Sequence, residues 1–227
     1  MPTIDVNAAI QWAFGTFKRT PVPYLALAAV VAVIQMLSTI AIIPLQRALE
    51  DCANPQSPGQ RAACESALGS SAVSAIVLAV ILAILAFLAS IGIYRAALGA
   101  TQGITPTFSL IFRTTYLGRY ILFALLNGVL VFIGIVLCIV PGLIVLFLLQ
   151  LGPLYVLARG DGAWTAAKAS ARAVRRHVGA ALLMLVFILI VQLIGNAFYG
   201  VLTLLTLPFS TLFFAHMYRQ FNEEPIA

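Results

Sequence analysis

The stretch "YILFALLNGVLVFIGIVLCIVPGLIVLFLLQLGPLYVLA", residues 120–158, decides what kind of fold this chain can have. It contains no charged side chain and is about twice as long as the roughly 20 residues of helix that cross a bilayer core of roughly 30 Å. Pro141-Gly142 lies near its middle, where Pro presets φ and Gly accepts a positive one, so the pair reads as a turn between two crossings. The competing reading, a kink in one tilted helix, leaves a helix far too long for the core. The run 179–217 repeats the pattern, with a candidate turn from Gly195-Asn196 to Gly200. The runs 21–46 and 71–93 are long enough for one crossing each, giving six in all.

Composition imposes the same solvent on the whole chain. Of its 227 residues, 62% are hydrophobic and 9% charged, with a mean hydropathy of +1.06. A soluble domain carries roughly a quarter charged residues. The net charge of +6 does not read as a nucleic-acid surface, because the basic residues border the apolar runs.

Orientation follows from Lys and Arg. With the amino terminus inside, Lys18, Arg19, Arg95, Arg113, Arg119, Arg159, Lys168, Arg172, Arg175, Arg176 and Arg219 fall inside, and only Arg47 and Arg61 outside. Both termini are therefore expected in the cytoplasm of a bacterial cell, with the chain in its inner membrane. Lys18-Arg19 ahead of an apolar run resembles a signal sequence, but the run is too long and no small-residue cleavage site follows, so it reads as a retained first span. The external loop, 47–70, places Cys52 and Cys64 in an oxidising compartment with Pro, Gly and Ser between them, which favours a disulfide. Cys138 reads as a small apolar side chain in mid-membrane.

Three segments precede crossings on the inside and can be stacked without gaps: 4–19 "IDVNAAIQWAFGTFKR", 104–119 "ITPTFSLIFRTTYLGR" and 161–176 "DGAWTAAKASARAVRR". Arg19, Arg119 and Arg176 then align, and Gln35 falls opposite Gln192. Each segment reads as an amphipathic helix on the membrane surface. In the first, Val6, Ala9, Ile10, Ala13, Phe14 and Phe17 form the apolar stripe, with Asp5 or Thr3 as cap. The second begins at Thr105-Pro106, a cap followed by Pro at the first helical position. In the third, Asp161 is the expected cap, Trp164, Ala167, Ala171, Val174 and Val178 the stripe, and Lys168, Arg172 and Arg175 the opposite face. The chain thus reads as a single all-α integral membrane domain, 1–227, of three units, 1–99, 100–160 and 161–227, each a surface helix followed by a transmembrane hairpin. The returning helices all end in an aromatic and a cation: Tyr94-Arg95, Tyr155 with Arg159, and Tyr218-Arg219. A stripe of small residues, Ala72, Ala75, Ala79, Ala83, Ala86 and Ser90, suits close approach of another helix.

No Asp, Glu, Lys or Arg lies near the centre of any crossing, which argues against a pump or proton-coupled transporter. Gln35, Asn127, Gln150, Gln192 and Asn196 are the polar groups in the spans; interhelical hydrogen bonds account for them, and the sharper reading is a polar path for a small transporter or lipid translocator. His177 and His216 have no acidic neighbours in the sequence, and no nucleophile motif, phosphate loop or metal-binding spacing is present. The expectation is a protein with no catalytic residues, metal or cofactor.

With "IDVNAAIQWAFGTFKRTP" at its start and "IVPGLIVLFLLQLGPLYVLARGDGAWTAAKASARAVRRHVG" in its second half, the chain resembles a broad bacterial group of multi-spanning integral membrane proteins that includes the membrane domain of some glycerophosphodiester phosphodiesterases and the YciC-like proteins. The resemblance implies an inner-membrane protein and transfers no functional residue or hydrolytic activity. The leading expectation is a membrane-organising or accessory subunit. Lys18, Arg19, Arg119, Lys168, Arg172, Arg175 and Arg176 would contact anionic lipid headgroups, a partner protein or a second copy of the chain.

Overall fold

The computed structural model describes residues 4–53, 58–105, 115–197 and 202–227, apart from some side chains within its helices. Every regular element among them is a helix: α1 (Val6–Arg19), α2 (Pro21–Ala53), α3 (Pro58–Ala100), α4 (Leu117–Leu137), α5 (Ile139–Leu149), α6 (Gly152–Arg159), α7 (Ala163–Arg176), α8 (Val178–Ala197) and α9 (Thr203–Phe221). Most of the expected second surface helix, including Pro106, Phe108 and Arg113, lies outside the described residues, as do the side chains of Asn196, Arg47, Arg61 and Ala72 and the end of the Gly195–Gly200 turn. The chain forms two compact units, Met1–Ala28 with Ile91–Ala227, and Ala29–Ser90.

Among the described residues five segments are long and apolar enough to cross a membrane: Pro21–Ile43, Val73–Ala100, Leu117–Leu137, Ile139–Arg159 and Val178–Gly195. They leave large side chains outward along their length, among them Leu137 at 76% and Leu193 at 74% exposure. Exposed apolar surface on this scale is a lipid-facing surface, and the chain is an all-helical membrane protein. Helix α9 differs in kind. It carries Thr203, Thr206, Ser210, Thr211 and His216, yet Leu212, Phe213, Ala215, Met217 and Tyr218 are fully buried against α1 and α8. The hydroxyls of Ser210 and Thr211 donate to carbonyls of their own helix, Ser210 to Thr206 and Thr211 to Leu207 and Pro208, so burial leaves them satisfied.

In the unit Ala29–Ser90 the expected loop 47–70 is largely helical: α2 runs on to Ala53 and α3 begins at Pro58. Residues such as Arg47, Ala48, Leu49, Glu50, Arg61 and Ala62 are good helix formers, and Pro58 suits a first helical position. The expected disulfide joins Cys52 to Cys64, with Cα atoms 5.7 Å apart. The small-residue stripe is not buried as a set; the buried positions are Ala75, Leu82 and Ala89, while Ala83 is exposed.

The break between α4 and α5 falls at Cys138, not at Pro141-Gly142. Cys138 is extended (φ −174, ψ 146), exposed, and not a mid-helix packing residue; its N–H still reaches Gly134 O at 3.0 Å. Pro141 falls in the first turn of α5, where no intrahelical partner is needed for its nitrogen. Gly142 serves close packing and not a positive φ: a Cβ on Gly134 would sit 2.7 Å from Gly142 Cα, and one on Gly142 2.9 Å from Ile135 N. Lipid supplies no hydrophobic drive between helices, so such backbone approach is a main source of their cohesion. Gly142→Ala is accordingly expected to destabilise by about 1–3 kcal/mol, in the range of other overpacking substitutions. Thermal unfolding in detergent would measure it, and an unchanged midpoint would contradict the contact.

Candidate functional site

The polar side chains gather at the ends of helices in the unit Met1–Ala28 with Ile91–Ala227, and α1 and α7 frame them. Helix α1 starts from Asp5, whose carboxylate accepts from Asn7 N at 2.8 Å and Ala8 N at 3.0 Å. Helix α7 starts from Gly162 with no side-chain cap, so the expected cap by Asp161 does not form. Both helices are 14 residues long and end at the aligned arginines. One residue separates each from the next helix, Thr20 with φ −137, ψ 65 and His177 with φ −134, ψ 53. The backbone therefore bends the same way at both places.

The buried face of each helix is its alanine face. Ala9 and Ala13 are buried in α1, and Ala163, Ala166, Ala167, Ser170, Ala173 and Val174 in α7. Trp164, of the expected apolar stripe, is 57% exposed, and Phe14 is 52% exposed. Small side chains let α7 lie close on α4, α5 and α6, and the bulky indole has no room on that side. Each exposed ring instead carries the lysine four residues on, Lys18 4.4 Å from the Phe14 centroid and Lys168 5.3 Å from that of Trp164. Ser170, fully buried, ties α7 to the break between α5 and α6: its hydroxyl donates to Leu148 O at 2.7 Å and accepts from Leu151 N at 3.2 Å.

The expected contact residues divide into two kinds. Lys168, Arg172, Arg175 and Arg176 are exposed and make no ion pair among the described residues. Arg119 is engaged structurally. It is the third residue of α4, not the end of a surface helix, and its guanidinium donates to Gly160 O and lies 5.6 Å from the Tyr116 ring. Tyr116 itself is left-handed (φ 61), and its ring packs where a side chain on Gly160 would be, while Gly160 (φ +69) closes α6.

Of the aromatic–cation helix ends, two meet. Glu224 bridges Arg159, at 2.6 Å, and Arg219. Asn222 Oδ1 accepts from Tyr155 at 2.8 Å and Arg159 at 3.0 Å, and the rings of Tyr155 and Tyr218 pack edge to face at 5.0 Å. Arg219 Nε also donates to Thr101 Oγ1 at 3.1 Å. The end of α9 and the residues after it latch α1 as well. Gln220 exchanges two hydrogen bonds with the Asp5 backbone, Trp12 stacks on His216 at 5.1 Å, and Trp12 Nε1 donates to Ala227 O at 3.2 Å. Sequence reasoning missed Asn222 and Glu224; the acidic pair Glu223-Glu224, so close after Arg219 in a chain poor in acids, was the available signal.

Two cavities open beside this cluster. One, of about 490 Å³, is lined by Arg19, Tyr24, Gln11 and the Ala100–Thr105 turn; the other, of about 520 Å³, by Arg95, Arg219, Tyr116 and Thr115. Among the described side chains, none of Gln35, Asn127, Gln150 or Gln192 lines either. Gln35 and Gln192 are exposed, whereas Asn127 and Gln150 are partly buried, each with a side-chain oxygen that no donor reaches.

Comparison with known proteins yields three similar chains: "Uncharacterized protein Mb2590" of Mycobacterium bovis and "Uncharacterized protein MT2637" and "Uncharacterized protein Rv2560" of Mycobacterium tuberculosis. Each is 26% identical over 223 residues, covering 96% of this chain and 69% of the relative. No family model matches, and no solved structure does.

Glu224→Ala would leave Arg219, only 11% exposed, without its carboxylate. A loss of about 1–3 kcal/mol is expected, while Arg159, at 42% exposure, contributes little. Ser170→Ala, which strips both break groups of their partner, falls in the same range. Unfolding midpoints of the two variants in one detergent check both.

Proposed function

We propose that the chain is a non-enzymatic integral protein of a bacterial cytoplasmic membrane, a membrane-organising or accessory subunit that contacts anionic lipid or a partner through its surface helices. It crosses six times, with both termini in the cytoplasm and α9, joined to the apolar residues before it, as the sixth span. Three units of surface helix and hairpin make up the chain. The equal lengths, matching ends and matching bends of α1 and α7 support the repeat for the first and third units. The packing of α4 on α5 across a one-residue break supports a hairpin in the second. The resemblance to the group containing the glycerophosphodiester phosphodiesterase membrane domain and the YciC-like proteins fits this architecture.

One observation carries the functional reading: α7 buries an alanine–serine face and turns outward an exposed Trp and four cations that make no ion pair among the described residues. An interfacial helix has this arrangement, and each cation near an anionic surface contributes about 1 kcal/mol. The polar-path alternative has less support, because Gln35 and Gln192 face outward and none of Gln35, Asn127, Gln150 and Gln192 lines either of the two cavities described.

Two outcomes follow. Replacing Lys168, Arg172, Arg175 and Arg176 together with Gln should reduce enrichment of phosphatidylglycerol over phosphatidylcholine around the protein at least tenfold at low salt, with the difference shrinking as salt rises; mass spectrometry of mixed-lipid nanodiscs reads the ratio, and an unchanged ratio refutes the role of α7. A reporter fused after Ala227 should be cytoplasmic, and Cys52 and Cys64 should label from outside only after reduction. Labelling from inside would invert the topology.

A further inference from the structure

We infer that the cavity between α1 and the Ala100–Thr105 turn binds the phosphodiester headgroup of one anionic phospholipid. The inference rests on the proposed placement of α1 at the membrane surface and adds a defined site to it. At about 490 Å³ the cavity lies within the roughly 300–1,000 Å³ of small-ligand sites. Arg19 supplies its cation and makes no ion pair among the described residues. Tyr24, another part of its wall, is fully buried with a hydroxyl that has no partner among the described residues. A buried hydroxyl left unsatisfied costs about 1–3 kcal/mol, which an acceptor oxygen of a ligand would relieve. Gln11 and Thr16 add neutral polar groups suited to a hydroxylated headgroup.

Location and charge select the ligand. Arg19 ends α1, one residue before α2, and Tyr24 lies in the first turns of α2, at the start of the apolar segment Pro21–Ile43. In the proposed orientation that is the boundary between headgroups and hydrocarbon. Arg19 is the one charged side chain of a lining that also includes Ala227 at the end of the chain, and a single cation is matched better by the single negative charge of a phosphodiester than by a phosphomonoester, which carries about −1.5 to −2. The neighbouring cavity is less suited, because Arg95 already donates to Thr115 O, and Arg219 is held by Thr101 and Glu224. The cations of α7 line neither cavity.

The cavity can be filled without disturbing the fold, because a Cβ on Gly15, which lines it, meets nothing within 4 Å. The experiment titrates phosphatidylglycerol into the purified full chain in neutral detergent and counts bound lipids by native mass spectrometry. One saturable lipid is expected, with affinity reduced at least tenfold by Gly15→Leu and, independently, by Arg19→Gln. Tyr24→Phe should weaken it several-fold without lowering the unfolding temperature of the lipid-free protein. The α7 quadruple Gln variant should keep this single lipid while losing bulk enrichment, so failure of the cavity and failure of the surface helix are told apart. Retention of the lipid by both Gly15→Leu and Arg19→Gln overturns the site. Competition by glycerol phosphate as strong as that of the lipid also overturns it, since the cavity would then read a free phosphate.

Discussion

In hydrocarbon no water is present to satisfy a backbone N–H or C=O, so a chain this apolar must meet those groups within itself wherever it bends. The structure keeps that rule at each described break of its larger unit. Thr20 N reaches Thr16 O, Cys138 N reaches Gly134 O, Gly160 N reaches Val156 O and His177 N reaches Val174 O. Between α5 and α6 Ser170 of α7 supplies both a donor and an acceptor. That last case shows why α7 has an alanine–serine face: its helix must come close enough for a one-carbon hydroxyl to reach the break, and this pushes Trp164 and the cations to the other side.

A division of labour among the cations follows. Those that tie one element to another are structural: Arg95 on Thr115, Arg119 on Gly160, and Arg159 and Arg219 on Glu224. Those of α7 face outward, and Arg19 borders a cavity with an unpartnered tyrosine hydroxyl. With so few charges in the chain, the cations that make no ion pair among the described residues are the groups left for an external anion.

Much of this was legible in the sequence because it depends on local pattern. The helical membrane class follows from the apolar runs, the pairing of Cys52 with Cys64 from their spacing and setting, and the ends of α1 and α7 from the stacked basic residues. What was misread depends on tertiary contact. The dipeptide Pro141-Gly142 has turn chemistry, yet Gly142 is needed to pack on Gly134, so the break moved to Cys138. Helix formers near Cys52 and Cys64 turned an expected loop into helix ends. The Glu224 bridge joins residues far apart in the chain, and no periodicity encodes it.

The central claim is that the alanine faces of α1 and α7 pack inward while their outward aromatics sit at the membrane surface. Quenching of Trp164 fluorescence by brominated lipids tests it most directly, in a Trp12→Phe variant so that Trp164 is the sole emitter. Lipids brominated near the headgroup end of the acyl chain should quench it more strongly than lipids brominated near the chain terminus. Stronger quenching from the chain terminus, or none from either lipid, would contradict the account.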